Sequence, residues 1–481
     1  MRIQFFAPKH RQDPDDTDNV SQLFPPLAAL KKLYHLFRHE RPFPLIAMSG
    51  YWDPHVERMP LEDLHKLQED RLKSIVRYVY DHSAFYRQRF KEAGIEPGDI
   101  KSLGDLSKLP FTKKADLRDT YPTGMFSLPK SSVVRYHVSS GTTGKPTVVG
   151  YTKGDIETWT ESLARGLTSV GLGRDDTIQV AYGYGLFTGG LGLHYGAERI
   201  GAAVLPTSTG NTERQIELMQ DLGSTAIACT PSYFLHLMEE AEKMGLSIKD
   251  DTQLKAGIFG AEPWSLETRK RIEETTGINA YDIYGTSEIS GPLVTECIEK
   301  NGIHVWGDMF LAEVIDPKTG EQLEDGERGE LVFTTLHKFA LPLIRYRIGD
   351  LSVLNSEVCE CGRTHPRIMR ILGRTDDMLI IRGINVFPSQ VESVLMGIPE
   401  VGDHWEIVVD RKGPLDVMTV RVELTEAGFS DKIGDLMSLR SRVSKELKAV
   451  LNVAADVELA EPRTIPRSMG KAKRVTDKRK V

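Results

Sequence analysis

Between residues 177 and 284 short apolar runs alternate with amphipathic stretches, a pattern that predicts strand after helix. The runs 178–181, 202–205, 226–229, 256–259 and 280–284 are the length of buried strands. Helical patterns between them start at Gly190, Thr212, Pro231 and Ser265, the third running to Met244. Helices recurring between buried strands cover a parallel sheet, whose ligands bind beyond the carboxyl ends of the strands. Upstream, Leu61, Leu64, Leu67, Leu72, Ile75, Val76 and Val79 predict a helix that continues toward Phe90 and stops at Gly94. Past Gly291 the strands shorten and turn residues multiply, as in Asp316-Pro317-Lys318-Thr319-Gly320, which predicts a small antiparallel or barrel-like β subdomain over about 292–370. From Asp376 the pattern is a helix from Pro388, strands 405–410 and 417–424, a helix over 431–450 and a strand over 456–459.

The fold class expected is α/β. A large N-terminal domain, 49–375, has helix-covered sheets and the small β subdomain, and a small α+β domain spans 376–481. Residues 1–48 form an arm with one short helical stretch, 27–37, and no assignable chemistry. A chain of 481 residues exceeds a single core, in keeping with two domains. The net charge of -7 and pI near 6.1 argue against nucleic-acid binding as the main task. No apolar run is long enough to span a bilayer, and the start, Met1 to Phe6 followed by Pro8 and Lys9, lacks the apolar segment of a signal peptide. A cytoplasmic protein without membrane or nucleic-acid partners is expected. Four cysteines are too few for a disulfide scaffold, so they are reduced or committed to a metal.

The candidate chemistry begins in a loop between two strand patterns, Ser139-Ser140-Gly141-Thr142-Thr143-Gly144-Lys145-Pro146-Thr147. Hydroxyls, a lysine and glycines that permit close backbone approach suit a polyphosphate, although polar turns share this composition. A Walker A loop needs four residues between its glycines and Ser or Thr after the Lys; here two residues intervene and Pro146 follows Lys145. Two strand ends carry loaded segments, Gly260-Ala261-Glu262-Pro263 and Asp282-Ile283-Tyr284-Gly285-Thr286-Ser287-Glu288. In the second, Tyr284 can stack on a base, Thr286 and Ser287 can donate to phosphate, and Glu288 can ligate magnesium. Read alone, it is also an ordinary Tyr-Gly turn. Asp350, closing Arg345-Tyr346-Arg347-Ile348-Gly349-Asp350, can accept both hydroxyls of a ribose or simply pair with an arginine.

These segments, with Gly373-Arg374-Thr375-Asp376-Asp377 and the tail 466–471, resemble in order the motif series of adenylate-forming acyl ligases. The run 138–152 is especially similar to the phenylacetate-coenzyme A ligases, and the likeness covers about 49–481. The resemblance implies that ATP activates an aryl or arylacetic acid as an acyl-adenylate, which coenzyme A converts to a thioester. It implies that Lys471 bridges carboxylate and α-phosphate oxygens, that Thr142 joins Lys471 and Glu288 among the catalytic residues, and that Mg2+ sits on Glu288. By the same likeness Asp350 holds the ribose, Tyr284 the adenine face and Asp282 its exocyclic amine, with Arg374 at the nucleotide. Asp376 would be the hinge on which the C-terminal domain turns, presenting the thiol channel past Gly383 and Ile384. Lys473, in the same basic tail, rivals Lys471.

Cys297, His304, Cys359 and Cys361 can complete a tetrahedral structural zinc shell, though their spacing is not that of a common finger. Matching Cys and His positions occur in some members of the resembled family. Cys229 reads as a buried free thiol. Tyr136, Phe187, Gly190, Leu191, Ala261 and Ile289 are candidates for an aryl pocket, each equally at home in a core. His137 and His194 read as satisfied polar residues. A ligase that loads a carrier protein and a silent nucleotide-binding regulator remain alternatives, and the oligomeric state, homodimer included, stays open.

Overall fold

The computed structural model describes residues 50–481 except 140–145, 292–293, 376, 383, 413–414, 431, 468–471 and 480–481. Of the sequence candidates, Ser140, Gly141, Thr142, Thr143, Gly144, Lys145, Asp376, Gly383 and Lys471 lie outside the described residues, as does the arm.

The predicted alternation is present. Strands β3 (Thr177–Val180), β4 (Ala203–Leu205), β5 (Ala226–Cys229), β6 (Ala256–Gly260) and β7 (Asn279–Tyr284) pair in parallel in the order β7-β6-β5-β3-β4. The longer helices up to this point are α1 (Leu61–His82), α2 (Ala84–Ala93), α3 (Lys153–Ser169), α4 (Gly189–Ile200), α5 (Thr212–Asp221), α6 (Pro231–Lys243) and α7 (Leu266–Thr276). One sheet face packs on Ile216, Met219, Phe234, Leu237 and Ile272 of α5, α6 and α7; the other joins a core that includes Leu72, Trp159, Leu163 and Leu193 of α1, α3 and α4. Strands β1 (Arg135–Val138) and β2 (Val148–Tyr151) pair antiparallel, so the hydroxyl loop is their hairpin connection.

Three expectations are corrected. The helix toward Phe90 is two helices, because Ser83 between α1 and α2 is extended at φ -111; the second ends on left-handed Gly94, φ 68. Ser265 is the cap of α7, its hydroxyl accepting the Thr268 amide at 2.9 Å, so the helix starts one residue later. Of the two forms expected past Gly291, the antiparallel one is present and the barrel is not, since these strands do not close on themselves. β10 (Phe310–Ile315), β11 (Arg328–Thr335) and β12 (Tyr346–Asn355) form an antiparallel meander. It continues through β13 (Arg367–Ile368), β9 (Ile303–His304) and β8 (Val294–Glu296) into β7, and with β14 (Gly373–Arg374) on β12 the sheet has twelve strands among the described residues. Pairing of β8 with the edge of β7 makes one sheet of two expected pieces.

Residues 379–457 bury a separate apolar core. There β15 (Leu379–Ile381) pairs with β16 (Ile384–Val386), and β17 (Val401–Lys412), β18 (Leu415–Leu424), β19 (Asp456–Ala460) and β20 (Val475–Asp477) form a sheet ordered β19-β18-β17-β20 beside α8 (Pro388–Met396) and α9 (Ile433–Leu451). Among the described residues no helix is long and apolar enough to cross a membrane.

Candidate active site

The loaded segments meet at the carboxyl ends of neighbouring strands β6 and β7. A Cβ on Gly260 would fall 2.1 Å from the Ile283 carbonyl oxygen, so only glycine lets these two strand ends run side by side. Ala261 follows at φ 69, and Ser290 stands at φ 83 just past Glu288. Two non-glycine residues in the left-handed region therefore border one crevice, each held there at a cost of about 1 kcal/mol or more.

Tyr284 ends β7 and reaches across to β12, where its hydroxyl donates to Asp350 Oδ2 at 2.6 Å. Arg374 on β14 donates to Asp350 Oδ1 at 2.6 Å. Burial and the Asp350 carboxylate push the Tyr284 phenol well up, so it stays a donor. Asp350 is thus oriented from both sides, by a phenol on one oxygen and a guanidinium on the other. Tyr284→Phe is expected to raise KM for ATP roughly tenfold, the worth of about one hydrogen bond to a charged group, with kcat little changed. A fall in kcat at unchanged KM would contradict this role.

Glu288 is buried on a short turn, Ser287–Ile289. Its Oε1 accepts from Thr147 Oγ1 at 3.2 Å and lies 3.9 Å from Lys114 Nζ. The turn is fixed from beneath: Tyr151 donates to the Ser287 carbonyl at 3.0 Å and Lys338 Nζ to the Glu288 carbonyl at 2.6 Å. Oxygen donors on a rigid turn fit magnesium, which takes one or two carboxylates and completes its shell with water and phosphate.

Lys338, which the sequence reading passed over, is fully enclosed over the Tyr151 ring at 4.6 Å. Burial lowers its ammonium to about 8 from the ordinary 10.5, against the pull of Asp155 and Glu288. Between those values the unfolded chain binds the proton and the folded chain does not, so stability rises with pH. Relative to Lys338→Met, the wild-type chain should gain up to about 3 kcal/mol from pH 8 to 10.5 in urea unfolding; a flat or falling difference would refute the buried charge.

Asp282 lies within β7, buried, with its amide donating to Glu296 Oε2 at 2.8 Å. Burial and the Glu296 carboxylate push its carboxyl up to about 7, against Arg269. Of the aryl-pocket candidates, Ile289 and Gly190 are buried, Leu191 is half-buried, and Tyr136, Phe187 and Ala261 are exposed. Ser139 accepts the Thr147 amide at 2.9 Å through its hydroxyl, closing the base of the hydroxyl loop. Glu262 accepts the Ser232 amide at 2.8 Å and the Ala472 amide at 2.8 Å. The residue that follows Lys471 in the chain is thereby tied to the turn after β6. Pro263, Gly285 and Thr286 complete the two turns, with the Thr286 hydroxyl buried and unpaired.

A second cluster lies apart from this crevice. The donor atoms of Cys297, His304, Cys359 and Cys361 are all within 4.8 Å of one another. Cys297 and Cys359 sulfurs are 3.8 Å apart, and Cys361 Sγ is 3.5 Å from His304 Nε2. Cys361 is held well below the ordinary thiol range by the Cys297 thiol and by His304. Beside it Arg363 pairs with Glu57 at 2.7 Å, and Thr364 donates to the Met59 carbonyl at 2.6 Å, binding this loop to the first described segment. Cys229 is buried elsewhere, its thiol pushed up by burial. His194 bonds Tyr184 and Glu198, both at 3.2 Å. His137 places Nδ1 3.1 Å from the Leu186 carbonyl, while its Nε2 is buried without a partner.

Residues 55–337 match the family model for AMP-binding enzymes, and 383–479 match that for the AMP-binding enzyme C-terminal domain. A phenylacetate-coenzyme A ligase of Thermus thermophilus is 50% identical over 444 residues, covering 89% of this chain and 100% of that one. 2-Hydroxyisobutyryl-CoA ligase in the postadenylation state with R3-HIB-AMP superposes at TM-score 0.86 with 32% identity, covering 91% of this chain and 95% of that one. The same ligase with 2-HIB-AMP and CoA in the thioesterification state superposes at 0.68, with 34% identity over 92% and 95%.

Proposed function

Because the chain belongs to the phenylacetate-coenzyme A ligases of the AMP-binding enzyme family, an AMP-forming acid–thiol ligase group, we propose that phenylacetate is the acid it activates. It works in two steps. A carboxylate oxygen attacks the α-phosphorus of ATP, the bond to the β-phosphate breaks, and pyrophosphate leaves an acyl-adenylate. The coenzyme A sulfur then attacks the acyl carbon, the carbon–oxygen bond breaks, AMP departs and the thiol proton is released. Coenzyme A is the acceptor, which sets the carrier-protein alternative aside.

The reading of the individual residues is ours. Asp350, clamped by Tyr284 and Arg374, takes the ribose hydroxyls. Tyr284 borders the adenine and Asp282 approaches its amine. Thr286, Ser287 and Ser139 bind the phosphates, a role that the composition of 140–145 also suits, and Glu288 with Thr147 would hold magnesium, which when bound offsets charge on the phosphate oxygens. What supports this assembly is the convergence of β6, β7 and β12 at Asp350, Glu288 and Glu262, with Ala472 docked on Glu262.

The cysteine cluster fits zinc. Tetrahedral Zn–S and Zn–N bonds of about 2.3 and 2.05 Å require separations of about 3.8 Å between sulfurs and 3.6 Å from sulfur to nitrogen. The Cys297–Cys359 sulfurs lie at 3.8 Å and Cys361 Sγ lies 3.5 Å from His304 Nε2. Four protein ligands leave no open position, so the ion is structural. A cytoplasmic location belongs to the same proposal.

The test is turnover of ATP with coenzyme A across phenylacetate, benzoate, hydroxylated aryl and indolyl acids. Phenylacetate should give AMP, pyrophosphate and thioester with the highest kcat/KM. A benzoate or indolyl acid outrunning it would overturn the substrate assignment and leave the reaction class intact.

A further inference from the structure

Helix α6 carries two anchors for the C-terminal segment. Glu239, near its end, receives the Arg467 guanidinium through Nε at 2.9 Å and a terminal nitrogen at 3.0 Å. The same guanidinium forks onto Glu423 of β18, with both contacts at 2.7 Å. His404 Nε2 of β17 is 3.0 Å from Glu239 Oε1. Seven residues earlier, about 10 Å along the helix, the Ser232 amide binds Glu262, whose other oxygen accepts the Ala472 amide at 2.8 Å. Arg467 and Ala472 flank Lys471 in the chain, so both sides of that lysine are tied to one rigid helix, directly at Glu239 and through Glu262.

Further polar contacts join the same two parts. Arg271 pairs with Asp403 at 2.9 Å, and Glu392 of α8 accepts from the Ser265 amide at 3.2 Å and the Thr268 hydroxyl at 2.8 Å. Polar interfaces separate readily, because carboxylates and guanidinium groups regain water when they part. The C-terminal domain thus docks through contacts that hold an orientation without making it permanent. The fold matches the postadenylation state of the hydroxyisobutyryl ligase at 0.86 and its thioesterification state at 0.68, so the docked orientation is the one in which that ligase holds its acyl-adenylate before the thioester step.

We propose that Glu239 is a positioning residue for adenylation: through Arg467 it latches the C-terminal domain onto α6 in the adenylate-forming orientation, and the latch opens before the thioester forms. The proposal rests on the reading of Lys471 as the lysine of the first step. In full-length Glu239→Gln, phenylacetate-dependent ATP–pyrophosphate exchange should lose about tenfold in kcat with little change in KM for ATP. Thioester formation from supplied phenylacetyl-adenylate and coenzyme A should hold or rise, which also shows that the variant is folded. Glu239→Asp should recover part of the exchange. Equal losses in both half-reactions, or no loss in exchange, would overturn the latch. Exchange that survives in Lys471→Ala would instead defeat the reading of the lysine, and leaves the Glu239→Gln comparison to decide the latch by itself.

Discussion

Lys471→Ala should cut adenylate formation by on the order of 10³-fold while thioester formation from supplied acyl-adenylate stays near the wild-type rate. A carboxylate and a triphosphate repel each other, and five-coordinate phosphorus crowds their oxygens further. An ammonium between them supplies stabilisation that exists only in that transition state, so its loss falls on kcat of the first step. In the second step the proposed turn of the C-terminal domain carries the lysine away from the reacting atoms, so attack of the thiol and departure of AMP proceed without it. Lys473, exposed two residues on, provides the control: Lys473→Ala should leave both steps near normal. Equal losses in the two half-reactions of Lys471→Ala, or a larger defect in Lys473→Ala, would move the role elsewhere.

The second large effect is expected at the cysteine cluster. Purified protein should carry one zinc per chain, and Cys361→Ser should lose it. The ion would join the β8–β9 hairpin, through Cys297 and His304, to the loop of Cys359 and Cys361. That loop in turn holds Glu57 and Met59 through Arg363 and Thr364. Removing the ion leaves buried thiols without their partner and frees both segments together. An unfolding midpoint lowered by roughly 10 °C is expected, with adenylation at low temperature largely kept because the cluster lies outside the crevice. A folded, metal-free preparation with an unchanged midpoint would rule the site out.

The parallel strands were legible because each is a buried run set between helical patterns, and Gly94 marked its helix end as left-handed glycine does. Strands β8, β9 and β13 are too short to leave a periodic signal, yet they are what fuse the antiparallel meander to β7. Ser83 breaks a helix without glycine or proline, so the apolar repeat ran straight through it. Within the site the motif residues announced themselves by clustering in sequence. The residues that support them did not. Lys338 lies 50 positions from the Glu288 carbonyl it holds, and Glu239 lies 228 from Arg467. One signal was available: a lysine in the run Leu336-His337-Lys338-Phe339-Ala340-Leu341, where charge among apolar neighbours implies a buried partner. The ion pairs between α6 and the C-terminal segment left no such trace, since each charge alone reads as a solvated surface.

Oxygen tracing tests the central claim most directly. With phenylacetate labelled by 18O in its carboxylate, one labelled oxygen per turnover should appear in the phosphate of AMP, carried over when the adenylate is cleaved by coenzyme A. Label in orthophosphate alongside ADP, or AMP free of label while thioester accumulates, would contradict activation through an acyl-adenylate.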